Sequence, residues 1–434
     1  MAHKKPLVVP PKGTAHQPKQ VTRGFSFRFY PNQAQQEYLT HSFGCTRFVY
    51  NKLLEQTKAA YSDYKANKTT DKPDLSKPGL SKLLTQLKHH PEHLWLQQVS
   101  STALQESCFN LVTAYKNGFT GQNKLPTFKS KYRKQSISFT VSGFSLEGKY
   151  LRLAKLDTLI KLKLSRQLPS QPTRVTITKT PSGEYYASFT CTYTPKRKAG
   201  TGTIGIDVGI TDLATFSDGT TAPNPRHFVK MQRKLAIAQR RLSKKKKGSK
   251  NRQKQQLVVA RIHSKIANQR SDYLHKLTTT IVSHNQAIAI EQLQVANMLR
   301  NHKLAKHIAD VSWSKFRQQL AYKVEETSTG YLFLADPYFP STQLCNACGT
   351  KPTEKLKLST RKWTCGNCGT THQRDHNAAM NLKLLADVML EQCQLGVHPG
   401  QLHLTKSYEH YVPQVVKHTY RRTYGKEACG DRVQ

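Results

Sequence analysis

Two close pairs of cysteines near the C-terminal end constrain the fold of this chain more than any other feature. Cys345 and Cys348 are followed, after 16 residues, by Cys365 and Cys368, which gives the spacing C-x2-C-x16-C-x2-C. Each C-x2-C turn presents two thiolates to one ion, and two such turns complete the tetrahedron that zinc prefers. Gly349, Gly366 and Gly369 supply the permissive backbone that such turns need. We therefore predict a structural zinc site with all four ligands from the protein.

The alternative interpretation of these cysteines is a set of reduced thiols or disulfides. Disulfides are typical of small secreted chains, and this chain of 434 residues is not small. The apolar stretch from Leu7 to Val9 is too short for a secretory signal, and no run of 18 apolar residues could span a membrane. We therefore expect a cytoplasmic, nucleoid-associated protein whose remaining cysteines are reduced: Cys45, Cys108, Cys191, Cys393 and Cys429.

The charge balance indicates the kind of partner. Sixty-eight Lys and Arg stand against 26 Asp and Glu, a formal net charge of +42. A surplus this large repels itself unless a polyanion neutralises it, so the expected partner is nucleic acid.

The N-terminal half changes its hydrophobic period twice. After a loose tail over 1–20, residues 25–30 alternate as a strand does, and helical spacing follows from Ala34 to Tyr64, with a predicted break near Gly44. Further helices are predicted around 80–89 and 92–118. Short segments with a spacing of two then predict a small β-barrel or sandwich over roughly 125–195.

The C-terminal half mixes strands and helices. Two strands are predicted in 203–220, one at 287–293 and one at 331–336, with helices near 313–328 and 376–390. Between the two strands in 203–220 and the strand at 287–293 lies the most basic stretch of the chain, 228–283, which holds 16 Lys and Arg against one acid. Its apolar residues recur about four apart, so we predict two helices separated at KKKKGSK.

Three carboxylates lie in apolar surroundings. Asp207 is within the strand GIDVG, Glu291 closes the strand AIAIE, and Asp375 begins a helix with an apolar face. A lone carboxylate on an apolar strand is costly to bury unless a cation binds it. Gly205 and Gly209 flank Asp207 and are predicted to leave room for a ligand to approach the backbone.

Each of these carboxylates also has an ordinary explanation. Asp207 could accept hydrogen bonds from a turn, Glu291 could mark the exposed end of a strand, and Asp375 could be a helix N-cap. Together, in a strongly basic protein, they match a site for two Mg²⁺ ions about 4 Å apart that hydrolyses phosphodiester bonds.

Several segments, which follow one another in the same order along the chain, resemble those of TnpB nucleases, which accompany bacterial insertion sequences. TIGIDVGITDLATFSDG, IAIEQL and CGNCGTTHQRDHNAAMNL are similar to the three RuvC blocks of that family. FRFYPNQAQQEYL, GCTRFVYNKLL, STALQESCFNLVTAYKNGF and LPTFKSKYRKQSISF resemble its N-terminal half. The similarity covers about 21–390.

The resemblance implies an α/β multidomain protein: an RNase H-like (RuvC) nuclease domain with an inserted zinc ribbon, a helical recognition domain and a wedge-type β-barrel. It matches Asp207, Glu291 and Asp375 to the catalytic acids, which hold Mg²⁺, and implies a guide RNA from the transposon end that pairs with target DNA beside a short adjacent motif. The implied parts are a flexible basic tail (1–20), the barrel (21–31 and 121–197), the helical domain (32–120), the nuclease domain (201–338 and 373–390), the ribbon (339–372) and a C-terminal tail (391–434).

Two surfaces are candidates for nucleic-acid contact. The basic helices of 228–283 would grip phosphates without reading sequence, although a solvated surface is the alternative. Phe128, Tyr132 and Phe139 lie among basic residues and could stack on exposed bases, or belong to the barrel core, the favoured interpretation for Phe139.

Three other functions are compatible with the sequence. A miniature type V CRISPR effector would use the same chemistry with a guide from a different locus, which the genomic neighbourhood would reveal. An RNA-guided repressor that does not cut would be expected to lose a catalytic acid, and this chain keeps all three. A zinc-ribbon RNA-binding protein would have no enzymatic role.

Overall fold

The computed structural model describes residues 20–66, 72–335, 339–357 and 359–394. The predicted tails therefore lie outside the described residues, apart from residue 20 and 391–394. The described residues divide into two compact units, those within Gln20–Tyr193 and Ala238–Arg261, and those within Thr194–Ile237 and from Ile262 to residue 394. None of the described helices combines the length and the apolar character that crossing a bilayer requires.

The first unit contains a seven-stranded sheet that is nearly closed into a barrel. Its order is β2-β6-β7-β1-β5-β4-β3. All seven strands contribute to one apolar core, as a sheet folded on itself requires. The predicted barrel is thus confirmed, with these strands: β1 (Val21–Phe29), β2 (Gln135–Thr140), β3 (Phe144–Glu147), β4 (Tyr150–Leu153), β5 (Ile160–Lys163), β6 (Arg174–Lys179) and β7 (Tyr185–Tyr193).

Helices of the same unit pack on one another and on the barrel. They are α1 (Gln33–Ala66), α2 (Lys77–His89) and α3 (Ser101–Phe119), with a 3-10 helix at Pro91–Gln98. The predicted break near Gly44 is wrong, because α1 is continuous. A glycine within a helix costs about 1 kcal/mol relative to alanine. The buried neighbours Phe43 and Cys45 contribute more than that.

The predicted helix over 92–118 is also wrong as a single element. The 3-10 helix begins with Pro91 and ends at Gln98, and α3 begins only at Ser101. Val99, between the two helices, adopts extended backbone, and it is buried with Leu96 and Leu104 in the helical core. The apolar residues therefore share a core without sharing one helix.

A five-stranded sheet forms the centre of the second unit, in the order β10-β9-β8-β11-β12. Strands β8, β11 and β12 are parallel, whereas β9 and β10 are antiparallel to their neighbours. Parallel strands covered on both faces are continuously apolar, and β8 and β11 each contain four successive buried residues. The strands are β8 (Gly202–Val208), β9 (Asp212–Phe216), β10 (Thr221–Pro223), β11 (Asn285–Glu291) and β12 (Tyr331–Ala335).

The remaining helices are α4 (His227–Ser243), α5 (Lys250–His284), α6 (Val295–Met298), α7 (Ala305–Val311), α8 (Trp313–Glu325) and α9 (Arg374–Gln394). The two predicted basic helices are confirmed, and Gly248 between them has a φ of 85°, which favours glycine. Buried Asp310 accepts hydrogen bonds from Phe228 N and Val229 N in the first turn of α4 and pairs with Arg270 at 2.9 Å. The short helices α6 and α7 were not predicted.

Candidate active site and metal centre

Asp207 and Glu291 lie at the carboxyl ends of two adjacent parallel strands. Ile206 in β8 is in register with Ile290 in β11, so the residues that follow them are level. Side chains that are level on neighbouring parallel strands point to the same face of the sheet. The strand pairing alone therefore brings the first two predicted carboxylates together.

Helix α9 packs against this face of the sheet at Gly205. A Cβ atom at Gly205 would overlap with the carbonyl oxygen of Ala379 and the amide nitrogen of Lys383. A Cβ at Gly209 would lie 2.9 Å from the carbonyl oxygen of Asp212, the first residue of β9. The interpretation that both glycines leave room for a ligand is therefore wrong, because protein backbone occupies that space.

Asp375 lies in the first turn of α9, four residues before Ala379, and not at the N-cap position. One carboxylate oxygen accepts hydrogen bonds from Arg374 Nε at 3.1 Å and Nη2 at 3.0 Å. The other accepts from Arg361 Nη1 at 3.1 Å. The close packing of α9 on Gly205 brings this first turn toward Asp207.

Electrostatic interaction joins the three carboxylates. Burial raises the pKa of Asp207 well above its ordinary value, and repulsion from Glu291 and Asp375 adds to the shift, which Arg374 partly offsets. Burial also raises the pKa of Glu291, against the effect of a hydrogen bond that Ser341 Oγ donates at 2.6 Å. A buried acid and a half-buried acid that repel one another favour either protonation or a bound cation.

The carboxylates do not form a compact single-ion cluster. Across the described ranges, the four cysteines are the one group of three or more His, Cys, Asp or Glu side chains whose ligand atoms all lie within 4.8 Å of one another. A wider set of carboxylates is compatible with two ions, which lie about 4 Å apart in phosphodiester-cleaving sites. Carboxylate oxygens are also the ligands that Mg²⁺ prefers.

Cys345, Cys348, Cys365 and Cys368 converge as the spacing predicts. Sulfur atoms lie 3.6 Å apart across the two pairs, between Cys345 and Cys368 and between Cys348 and Cys365. Each turn closes with a backbone hydrogen bond onto its first cysteine, donated by Gly349 N and Gly369 N, and both glycines have a φ of 71°. The ribbon is completed by β13 (Lys362–Thr364) and β14 (Thr371–Gln373). Four thiols in this arrangement are compatible with zinc.

Four residues near these sites were missed by the sequence interpretation. Ser341 and Arg361 contact Glu291 and Asp375 from distant parts of the chain, so no local signal reveals them. Arg374 and His372 lie within three residues of Asp375, and a charged or imidazole neighbour of a candidate acid is a signal that could be used. His372 Nε2 lies 3.0 Å from Cys345 Sγ, and the His372 ring packs on Trp363.

The candidate stacking residues differ in exposure. Phe139 is fully buried in the barrel core, as favoured, whereas Phe128 is 56% and Tyr132 78% exposed. Lys58 lies over the Phe128 ring at 5.1 Å, and Lys131 over the Tyr132 ring at 5.3 Å. Lys244–Lys247, between α4 and α5, are all exposed.

Comparison with known proteins identifies relatives over most of the chain. A Streptomyces pristinaespiralis protein, which its name assigns as an RNA-guided DNA endonuclease, is 41% identical over 88% of this chain and 93% of its own length. InsQ of Escherichia coli K12, assigned in the same way, is 32% identical over 83% of this chain and 91% of its own length. A Cas12f1 chain, solved by cryo-EM with its sgRNA and target DNA, matches 84% of this chain and 99% of its own at 13% identity and a TM-score of 0.31.

Three family profiles match successive parts of the sequence. "Probable transposase" of the OrfB_IS605 type covers 174–302, and "Cas12f1-like, TNB domain" covers 313–382. "Helix-turn-helix domain" covers 21–66, which here consists of strand β1 and the single helix α1. Since relatives at 41% and 32% identity extend along more than four fifths of its residues, the chain belongs to the TnpB family of RNA-guided DNA endonucleases.

Proposed function

We propose that this chain is the RNA-guided DNA endonuclease of an insertion sequence, and that Asp207, Glu291 and Asp375 form its catalytic site. A guide RNA transcribed from the transposon end would pair with target DNA next to a short adjacent motif. The five-stranded sheet with α9 would be the RuvC nuclease domain of RNase H-like fold, and the cysteine hairpins its zinc ribbon. The barrel and the helices α1–α3 would form the wedge and recognition domains.

One observation carries this proposal: Asp207 is buried beside two other carboxylates that raise its pKa. Burying like charges is unfavourable unless a cation neutralises them. Such an arrangement is typical of a functional site, because a core selected for stability alone would replace these acids with apolar residues.

Asp207, Glu291 and Asp375 would hold Mg²⁺, which when bound activates the attacking water and stabilises the leaving oxygen. Other side chains of the protein lie beside these carboxylates. Ser341 donates a hydrogen bond to Glu291, and Arg361 and Arg374 place guanidinium groups beside Asp375. Guanidinium binds phosphate oxygens through two parallel hydrogen bonds, so these arginines are suited to hold the scissile strand.

Guide and target would be bound through charge and stacking. The stretch 228–283 has 15 net positive charges, from 16 Lys and Arg against Asp272, and its exposed lysines are suited to phosphates. A guide–target duplex held by its backbone and shape needs such a surface. The exposed rings of Phe128 and Tyr132, each with a lysine beside it, are suited to unpaired bases.

Plasmid cleavage by wild type and Asp207→Asn tests the catalytic assignment. The protein is expressed with the DNA flanking its own gene, and the copurified RNA is sequenced and reprogrammed to a target plasmid. We expect Asp207→Asn to bind guide and target as wild type does but to lose cleavage by at least about 100-fold, because one metal ligand is missing.

Glu147→Gln is the matched control, since Glu147 is an exposed carboxylate at the end of β3, outside the carboxylate site and the basic stretch 228–283. Wild type without divalent ions should resemble Asp207→Asn. Undiminished cutting by Asp207→Asn would overturn the catalytic assignment. Binding without cleavage by wild type in Mg²⁺ would favour the repressor alternative.

A further inference from the structure

Ser341 joins the segment before the first cysteine turn to the candidate active site. Its side chain is almost fully buried, with 2% of the residue exposed, and its Oγ donates a 2.6 Å hydrogen bond to Glu291 Oε1. A carboxylate has two oxygens that rotate together, so one fixed donor determines where the other oxygen points. Glu291 lies at the end of β11, where the strand alone leaves its side chain several rotamers.

The backbone of this segment is held in turn by α9. Asn381 Nδ2 donates to Ser341 O at 2.7 Å and to Leu344 O at 2.8 Å. One turn earlier, Asn377 Nδ2 donates to Leu344 O at 2.6 Å, and Asn377 Oδ1 accepts from Asn346 N at 3.0 Å. Both asparagine side chains are nearly completely buried. The same helix therefore presents Asp375 and holds the loop that contacts Glu291.

The cysteine cluster begins inside this network. Cys345 lies between Leu344 and Asn346, whose backbones the asparagines hold, and its turn closes through Cys345 N and Thr350 O at 2.9 Å. The segment 341–346 thus contains both Ser341, which contacts the carboxylate of Glu291, and Cys345, which belongs to the cysteine cluster. A displacement of the cysteine turn would be transmitted along this segment, because Ser341, Leu344 and Asn346 are each held by a hydrogen bond to α9.

We propose that Ser341 is a positioning residue for Glu291 and that Asn381 keeps Ser341 in place. The cysteine ribbon and the carboxylate site are then coupled structurally. This inference rests on the proposed function of Glu291. Groups that orient metal ligands change metal affinity when they are removed, typically by about 10- to 100-fold. The ribbon then has a role in organising the divalent-ion site in addition to stabilising its own segment.

Divalent-ion binding to the purified RNA complex tests the proposal. Free Mn²⁺ is followed by electron paramagnetic resonance, and the Asp207→Asn complex, which carries the same RNA, supplies the background from ions bound to RNA. We expect Ser341→Ala to keep one zinc per chain and normal target binding but to bind the specific Mn²⁺ about 10- to 100-fold more weakly. Ser341→Thr keeps the hydroxyl and should recover most of the affinity, and Asn381→Ala should weaken Mn²⁺ binding as Ser341→Ala does.

Ser107→Ala is the control for a merely structural effect. Ser107 is also buried and donates a 2.6 Å hydrogen bond to Thr46 O, in the other unit of the chain. It should lower the midpoint of thermal unfolding without changing Mn²⁺ affinity. If Ser341→Ala binds Mn²⁺ as tightly as wild type while Asp207→Asn does not, the positioning role is wrong and the catalytic proposal stands. If Asp207→Asn also binds normally, the catalytic proposal fails as well.

Discussion

Asp207 is a carboxylate that follows the buried residues Ile204, Gly205 and Ile206 in β8. Only 8% of the residue is exposed, and neighbouring carboxylates add repulsion to the cost of burial. Asp and Glu are almost never buried to this degree without a partner of opposite charge. The sequence made this unfavourable placement visible, since a charged residue inside GIDVG conflicts with the rest of the strand.

The raised pKa of Asp207 predicts how pH changes stability. A raised carboxyl pKa favours the folded state below the ordinary value of about 4 and loses that contribution as pH rises through the raised value. Without divalent ions, the free energy of unfolding of wild type should therefore decrease, relative to that of Asp207→Asn, as the pH rises from about 4 through the raised pKa of Asp207. At pH 8 the asparagine variant should be more stable than wild type by about 1 kcal/mol or more.

Magnesium should reverse this order at pH 8, because it binds the ionised carboxylates and stabilises the folded state by mass action. Denaturant unfolding at pH 5 and pH 8 measures both effects when it is done with added magnesium and again after magnesium is removed by dialysis, which retains zinc. Equal stability of wild type and Asp207→Asn at every pH would show that the buried carboxylate is not under repulsion.

At the level of elements, the contact between β8 and α9 organises the candidate site. Gly205 permits backbone-to-backbone contact, so that the first turn of α9 reaches the end of β8. Sequence patterns predicted both elements, because the apolar residues of TIGIDVGI and the apolar face of the helix are local signals. They did not predict the contact, and the glycine was wrongly interpreted as space for a ligand.

Gly205→Ala tests this contact. The added Cβ meets backbone atoms that cannot rotate away, so α9 must shift, at a cost of about 1–3 kcal/mol. Denaturant unfolding and cleavage should both be impaired. The matched control is Gly24→Ala in β1, where a Cβ has nothing within 4 Å, and its effect should stay within about 0.5 kcal/mol. Wild-type cleavage by Gly205→Ala would contradict the requirement for close packing.

At the scale of the whole molecule, a net charge of +42 has to be neutralised by a partner. The charge is concentrated in α4, α5 and the exposed lysines between them, where few acids are present to form ion pairs. The two units, each with its own core, are built from different local patterns. Alternation with a spacing of two produces the barrel, and continuous apolar strands produce the parallel part of the second sheet.

Replacement of Lys244, Lys245, Lys246 and Lys247 by glutamine tests whether this surface binds phosphates. Each lysine that contacts a phosphate of duplex DNA should reduce the slope of log affinity against log salt by about 0.9. Target binding by the guide complex is measured from low to physiological salt. Replacement by arginine at the same positions keeps the charge and should keep the slope. A glutamine variant with the wild-type slope would assign these lysines to a solvated surface.

The sequence by itself determined the features that depend on neighbours along the chain. These are the cysteine turns, the barrel strands, the two basic helices and the conflict of charge with apolar surroundings at Asp207 and Glu291. Only the tertiary structure decided which side chains surround the candidate acids, that α1 passes through Gly44 without a break, and that Gly205 receives α9. The physical reason is that these contacts join residues far apart in sequence, and their free energy comes from burial and packing, which local propensity does not contain.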